Sequence, residues 1–392
     1  MKILQIVPAV SVVYGGPSQM VRGLSAALAR QNVTVEILTT DANGDVGQPS
    51  LGVPLNQPLP EDNYTVRYFR CAPWRRYKFS LGLCTWLWRN AHRYDLAHIH
   101  ALFSPVSTAA ATIARWRKLP YLLRPLGTLD PADLRKKLRL KQLYGYCFER
   151  PNLAGAAALH FTSSQEAEIS ERYGTNPMSL VIPLGVPLLT FPDPGQVRQR
   201  WQIAADVPLI LYMSRIDLKK GIELLIESLA ILRAQNLPFH LVLAGSNAQD
   251  PAYERLIGDH ARQQLGEQVT IAGFVRDEEK LALLRDADLF VLPSYYENFG
   301  IAVAEAMAAQ TPVLISDQVH IWPAVQQAQA GWIAQCRSDA LTAALTAALT
   351  DPIARQTRGQ NAYHLAKTAY SWDAIAAELL AAYRSILHTS GR

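Results

Sequence analysis

The sequence predicts an α/β protein made of two doubly wound domains, and three observations carry that expectation. The chain is 392 residues long, too much for one ordinary core and about right for two. Strand-like apolar runs alternate with helix-length segments through both halves, the pattern of a parallel sheet with helices on its faces. Between the halves, Pro183, Pro187, Pro192 and Pro194 with Gly185 and Gly195 oppose regular structure and mark an extended linker.

In the first half the predicted strands are 3–7, 33–39, 64–69, 96–100, 121–123, 156–161 and 180–182, with helices over 17–30 and 131–150. In the second half they are 209–213, 240–244, 269–272, 289–292 and 313–315, again with helices between. The Ala/Leu/Thr stretch 340–350 reads as a plain helix. The last helix, 372–387, puts Trp372, Ile375, Leu379, Leu380, Tyr383 and Leu387 on one apolar stripe. The domains are expected at 1–188, completed by 371–392, and at 189–370.

Composition narrows the function classes. Hydrophobic residues make up 49% and charged residues 18%, which excludes a disordered, collagen-like or coiled-coil chain. The longest uncharged apolar run, 101–114, is too short to span a bilayer and contains Pro105. The N-terminal apolar run leads into Tyr14-Gly15-Gly16 without a signal-peptide cleavage site, and reads as a first strand. Cys71, Cys84, Cys147 and Cys336 form no Cys-x-x-Cys pair, so a reducing, cytoplasmic compartment is expected.

The net charge of +5 hides an asymmetry: 21 Lys+Arg against 12 Asp+Glu in residues 1–190 (+9), and 17 against 21 in 191–392 (−4). The basic half suits an anionic partner, whether nucleic acid, lipid or a phosphorylated substrate. No nucleic-acid reading element accompanies the charge, so nucleic acid is not expected as a partner.

Ligands of doubly wound sheets sit at the carboxyl ends of the strands, which makes the loops after strands the candidate sites. After the first strand, Gly15-Gly16-Pro17-Ser18 allows close backbone approach and opens a helix whose N–H groups favour an anion; a bland βα turn would look similar. After 209–213 comes Ser214-Arg215-Ile216-Asp217-Leu218-Lys219-Lys220-Gly221. Arg215 can grip a phosphate with two parallel bonds and Lys220 adds a compact charge, although a solvated basic loop is the alternative. After 289–292, Glu297 precedes Gly300, and Glu305 projects from the following helix. One carboxylate is placed to reach sugar hydroxyls and the other to take ribose hydroxyls.

The run from Pro293 to Ser316 resembles the signature of retaining GT-B glycosyltransferases of glycosyltransferase family four, of the bacterial polysaccharide-biosynthesis type. Ser214-Arg215 with Lys220-Gly221 is similar to that family's diphosphate loop, Gly15-Gly16-Pro17-Ser18 to its glycine loop, and Tyr370-Ser371-Trp372 to the opening of its crossing helix. The resemblance implies two Rossmann-like domains facing a cleft, and transfer of a sugar from a UDP- or GDP-sugar to an acceptor hydroxyl with retained anomeric configuration. It implies that Arg215 and Lys220 bind the donor diphosphate. Glu305 would hold the ribose, and Glu297 with the backbone at Asn298, Phe299 and Gly300 the donor sugar. Gly16 would approach the diphosphate or acceptor, and Gly273-Phe274 would contact the base. Front-face displacement is the implied mechanism, since no paired carboxylates in the glycosidase sense are evident. A catalytically silent sugar-nucleotide-binding scaffold is the alternative, and a nicotinamide oxidoreductase is disfavoured because Gly-x-Gly-x-x-Gly is missing.

The pattern is broken at one loop. Where many members carry a His after the strand at 121–123, this chain reads Arg124-Pro125-Leu126-Gly127-Thr128. Arg124 and Gly127, with Gly15 and His100, are therefore candidates for the acceptor or sugar side; His98, on the same side of its strand, reads as structural. Asp286-Ala287-Asp288 looks like a metal-binding Asp-x-Asp but sits at a helix end, so turn chemistry is expected there and neither metal nor cofactor in catalysis.

The segment from Asn63 to Tyr94 contains Arg67, Arg70, Arg75, Arg76, Lys78, Arg89 and Arg93 among Trp74, Tyr77, Phe79, Trp86 and Trp88, and from Asn63 on it has no acid. Such interleaving suits an anionic membrane surface, with peripheral attachment at the inner face of the cytoplasmic membrane and a saccharide or lipid-linked acceptor as consequences. The competing reading makes Phe79, Leu83, Trp86 and Leu87 the core face of an ordinary helix. A second basic cluster comprises Arg135, Lys136, Lys137, Arg139 and Lys141.

Overall fold

A computed structural model describes the chain except residues 12, 14, 15, 45–47, 73–76, 131–141 and 390–392. It divides into two compact units, Met1–Gly185 with Trp372–Arg392, and Val186–Ser371.

The first unit runs β1 (Lys2–Ala9), α1 (Gly16–Arg30), β2 (Thr34–Thr40), β3 (Pro58–Glu61), β4 (Tyr64–Phe69), α2 (Leu81–Asn90), β5 (Leu96–His100), α3 (Pro105–Trp116), β6 (Tyr121–Arg124), α4 (Arg150–Gly155), β7 (Ala158–Phe161), α5 (Ser164–Ile169) and β8 (Ser179–Val181). The sheet order is β3-β4-β2-β1-β5-β6-β7-β8, parallel except for β3 against β4. The chain winds outward from β1 to one side and resumes at β5 on the other, so the switch point lies between β1 and β5.

The two faces of this sheet differ. Leu4, Ile6, Ala97, Ile99, Tyr121, Leu123, Leu159 and Phe161 pack on Leu83, Leu87, Val106 and Ala110 of α2 and α3. The alternate positions Gln5, His98, His100, Arg124 and His160 form a buried polar row on the opposite face.

The second unit runs α6 (Gln196–Arg200), β9 (Leu209–Met213), α7 (Ile222–Ala234), β10 (His240–Ala244), α8 (Pro251–Leu265), β11 (Val269–Gly273), α9 (Asp277–Asp286), β12 (Leu289–Leu292), α10 (Ile301–Ala308), β13 (Val313–Ser316), α11 (Trp322–Gln327), β14 (Gly331–Ala334), α12 (Ser338–Thr350) and α13 (Pro352–Leu365). Its order is β11-β10-β9-β12-β13-β14, and the described pairings are all parallel. Both faces are covered by helices, which is why β9 and β12 are buried at every position and read as unbroken apolar runs. The switch point lies between β9 and β12. The final helix, α14 (Trp372–Thr389), belongs to the first unit, where the Trp372 ring fills the space beside Gly23 and Gly185.

Two readings of the sequence need correction. β3 was not expected, because Pro58 and Pro60 argue against a strand; they are tolerated on an antiparallel edge. β14 was missed because it is short and begins with Gly331, which lies against the Val313 carbonyl. The helix expected over 131–150 falls mostly outside the described residues at 131–141; its end is a π turn at Gly145–Glu149 that leads into α4.

Candidate functional site

The loops after β9 and β12 flank the switch point of the second sheet. Beyond β9, Asp217 caps a 3₁₀ turn, Leu218–Lys220, by accepting from the Lys219 N–H at 3.0 Å. Gly221 follows with φ +66, and a Cβ there would overlap the Pro293 carbonyl oxygen, so only glycine allows this loop to lie against the β12 loop. The Tyr295 N–H donates to the Lys219 carbonyl at 2.8 Å and completes the tie. Lys220 and Glu297 are consequently brought together as an ion pair, their side chains only 14% and 20% exposed. Arg215 is held loosely, 3.6 Å from Asp217, with its side chain 54% exposed. The loop therefore presents an accessible guanidinium beside an ammonium already paired with a carboxylate.

Glu297 is fixed by backbone on both sides: its N–H donates to the Gln318 carbonyl at 3.1 Å and its carbonyl accepts from His320 at 3.0 Å. Gly300, at φ +80, opens α10. Phe299 is buried edge-on against Tyr370 at 5.4 Å, so its backbone rather than its ring faces the loop's chemistry. The Asn298 Oδ1 is buried without a hydrogen-bond partner. Glu305 on α10 accepts from Lys280 of α9 at 2.6 Å, a partner that spacing along the chain does not single out.

A further loop at this edge escaped the sequence reading. Gly245, after β10, has φ +143, and a Cβ would overlap the Ser214 carbonyl. Asn247 is buried and donates to the Ile216 carbonyl at 2.8 Å, bracing the Arg215 loop from behind. A Gly directly after a strand was its only sequence signal. Gly273 ends β11 at φ +68, with nothing within 4 Å of a would-be Cβ, and Phe274 beside it is 71% exposed.

Asp286 and Asp288 are engaged structurally. Asp286 accepts from the Gly195 and Val197 N–H groups at 2.6 and 2.7 Å and so caps α6; Asp288 accepts from the Leu209 N–H at 2.7 Å and pairs with Arg198.

In the first unit, Gly16 begins α1 and Gly15 lies outside the described residues. The Ser18 hydroxyl donates to the Ser11 carbonyl at 2.9 Å. His100 and Arg124, the last residues of β5 and β6, are neighbours in register and both buried. The Gly127 N–H donates to Glu166 at 2.9 Å. His98 is as buried as His100 and bonds the Tyr383 hydroxyl at 2.7 Å.

Of the basic and aromatic segment, 73–76 lies outside the described residues, as does the second basic cluster. Leu83 and Leu87 are core, and Trp86 packs beside them with the Arg67 guanidinium 4.7 Å from its ring centre. Trp88 instead faces outward, edge-on to the exposed Trp116 at 6.3 Å, with Arg117 5.3 Å above it. Among the described residues, no helix is long and apolar enough to cross a membrane.

Comparison with known proteins places this geometry. The profile for glycosyl transferases group 1 matches residues 195–365, and that for the glycosyl transferase 4-like domain matches 15–185. Alpha-D-kanosaminyltransferase of Streptomyces kanamyceticus is 31% identical over 304 residues, spanning 76% of this chain and 69% of the relative. D-inositol 3-phosphate glycosyltransferase of Kineococcus radiotolerans is 28% identical, over 94% of this chain and 90% of its own. Among solved structures, sucrose-phosphate synthase from Thermosynechococcus elongatus superposes with a TM-score of 0.73 at 24% identity, covering 99% of both chains. HepE of Anabaena in complex with UDP and glucose gives 0.73 at 20% identity, covering 98% and 100%. The chain belongs to the group 1 glycosyltransferases, and its fold is GT-B, with two Rossmann-like units.

Proposed function

We propose that the protein transfers a sugar from a UDP- or GDP-sugar to an acceptor hydroxyl with retention of configuration, in polysaccharide or glycolipid synthesis. Residues 189–370 take the donor, and 1–188 with 371–392 the acceptor. The observation that carries this reading is the Lys220–Glu297 ion pair at the switch point of the second sheet, Lys220 lying on the loop that also carries the exposed Arg215.

Arg215 takes two diphosphate oxygens through its fork while Lys220 exchanges its carboxylate partner for a third. Both then stabilise charge on the leaving phosphate as the glycosidic bond breaks. Glu297, released from Lys220 but still held by its backbone bonds, accepts from the donor sugar's hydroxyls beside the N–H groups of Asn298, Phe299 and Gly300. Glu305 takes the ribose hydroxyls, Lys280 steering its carboxylate, and exposed Phe274 with Gly273 offers a surface for the base. The leaving phosphate removes the acceptor proton. With the cationic work done by Arg215 and Lys220, transfer is expected to persist in chelator; loss on chelation with rescue by manganese would contradict that.

The test of the reaction is nucleoside diphosphate release from UDP- and GDP-sugars over a panel of saccharide acceptors, with proton NMR of the new glycoside. Release with a product anomer matching the donor's is expected. An inverted product, or nucleotide binding with no release for any pair, contradicts the proposal.

The outward Trp88, Trp116 and Arg117 favour a second reading, of location. We infer that this face rests against anionic lipid at the inner side of the cytoplasmic membrane, aromatic rings at headgroup depth and cations against phosphate. Sedimentation with phosphatidylglycerol vesicles but not with phosphatidylcholine vesicles is expected, and its loss in Trp88→Ala/Trp116→Ala. Equal sedimentation with both rejects it.

A further inference from the structure

The carboxyl edge of the first sheet holds a buried cation that has no ion-pair partner among the described residues. Arg124 is 2% exposed. Its Nη1 lies 3.0 Å from the Met20 sulfur, and its Nε and Nη2 have no hydrogen-bond partner among the described residues. Burial lowers the guanidinium to about 10, which leaves it charged at neutral pH. The carboxylate whose field reaches it, Glu166, is occupied elsewhere: Oε1 accepts from the Gly127 N–H at 2.9 Å, and Oε2 from the Thr162 N–H and hydroxyl at 2.7 and 2.8 Å.

Beside Arg124, His100 offers the complementary vacancy. Its Nε2 lies 2.7 Å from Gln5 Oε1, an atom that can only accept, so the proton of the neutral ring sits on Nε2. Its Nδ1 is then an acceptor, buried and without a partner among the described residues. The other imidazoles are satisfied: His98 bonds the Tyr383 hydroxyl and His160, and His160 bonds the Ile182 carbonyl at 2.8 Å. Burial first, then Arg124 and the adjoining rings, holds all three well below their ordinary range and keeps them uncharged.

An unpaired guanidinium is among the costliest groups a protein can bury, and each orphaned polar atom calls for an explanation. The place supplies one. Arg124 and His100 end adjacent strands at the ligand edge of a doubly wound sheet, and β5 borders its switch point. The loops that follow carry Ala101, Phe103 and Leu126 at φ +63, +57 and +57, the kind of backbone strain that gathers at binding sites.

We propose that Arg124 and His100 together bind an acceptor that carries an anionic group beside a hydroxyl, as a uronic acid or a sugar phosphate does. Arg124 Nε and Nη2 donate side by side to two oxygens of the carboxylate or phosphate, and the neighbouring hydroxyl donates to His100 Nδ1. Met20, unbranched and flexible, swings its thioether away from Nη1 as the group enters. This assignment rests on the transferase reading, because it names the chemistry of that reaction's acceptor.

The experiment measures the thermal midpoint of the full chain with glucose 6-phosphate, with glucuronate, with neutral glucose and separately with UDP and with GDP. Wild type, Arg124→Met and Arg124→Lys are compared. At saturating probe, a rise of several degrees is expected in wild type with one or both anionic sugars and none with glucose; which of the two acts tells phosphate from carboxylate. Arg124→Met should lose that rise, keep the wild-type response to UDP or GDP, and melt at or above the wild-type temperature, since it removes an unpaired buried charge. Arg124→Lys should keep a weaker response, because it retains the charge without the fork. The proposal is overturned if UDP or GDP shifts the wild type and neither anionic sugar does, or if Arg124→Met still answers to them. It is overturned too if Arg124→Met melts well below wild type, which would make the guanidinium a prop of the fold. If neither UDP nor GDP acts, the transferase reading falls and the acceptor assignment falls with it.

Discussion

Lys220 sits between two anions, the carboxylate that holds it now and the diphosphate proposed to claim it. Removing the competing charge while keeping the shape of the side chain should therefore separate binding from transfer. In Glu297→Gln, UDP is expected to bind several-fold more tightly, because a like charge near the diphosphate is gone, while transfer falls by about 100-fold with the loss of the donor-sugar contact. Titration calorimetry and initial rates measure the two effects, and weaker UDP binding in this variant would remove Glu297 from the site. Arg215, Lys220, Glu297 and Glu305 were singled out in the sequence because they lie in or just beyond loops that follow apolar strands and because those loops resemble a family signature. Lys280 and Asn247 were not, since their significance is a contact across the sheet edge that spacing cannot show. Arg124 was picked out as a break in a family pattern, but its burial and its missing partner appear only in three dimensions.

The elements that were easiest to read are the central strands. β5, β9, β10 and β12 begin and end where the apolar runs do, because they are buried along almost their whole length. The edges were harder: β3 contains two prolines, and β14 is short and starts with glycine, so neither carries the usual signal. Loop geometry follows from the same close packing. Gly221→Ala combines positive φ with overlap of the Pro293 carbonyl, and is expected to lose more than about 1 kcal/mol of stability and to weaken UDP binding as the β9 and β12 loops separate. Urea unfolding with and without UDP tests this, and an unchanged midpoint would contradict it. On α14, the Tyr383 hydroxyl meets both His98 and Gln5. Tyr383→Phe leaves those buried groups short of a partner and should cost about 1–3 kcal/mol, with little change in UDP binding; a neutral effect on stability would mean the polar row tolerates its loss.

At the scale of the whole molecule, two units of similar build divide the proposed labour, and they respond to different variables. The first is expected to be acid-labile. His98, His100 and His160 are held neutral in the folded chain, so as pH falls below about 6.5 the unfolded chain takes up protons that the folded one refuses. Stability is then fully present above that pH and lost below it, by up to about 1.4 kcal/mol per pH unit for each imidazole. Urea midpoints from pH 7.5 to 5 should fall steeply, and a flat profile would show that the three rings are charged in the fold. The second unit is expected to respond to nucleotide. The most direct measurement is the thermal midpoint of wild type and Arg215→Ala across UDP, GDP, ADP and dTDP. At a hundred times its dissociation constant, the right nucleotide stabilises its unit by about 2.7 kcal/mol. One nucleotide should raise the wild-type midpoint by several degrees and leave Arg215→Ala nearly unmoved. A folded wild type indifferent to all four, or a variant that responds as the wild type does, would contradict a donor diphosphate held at Arg215.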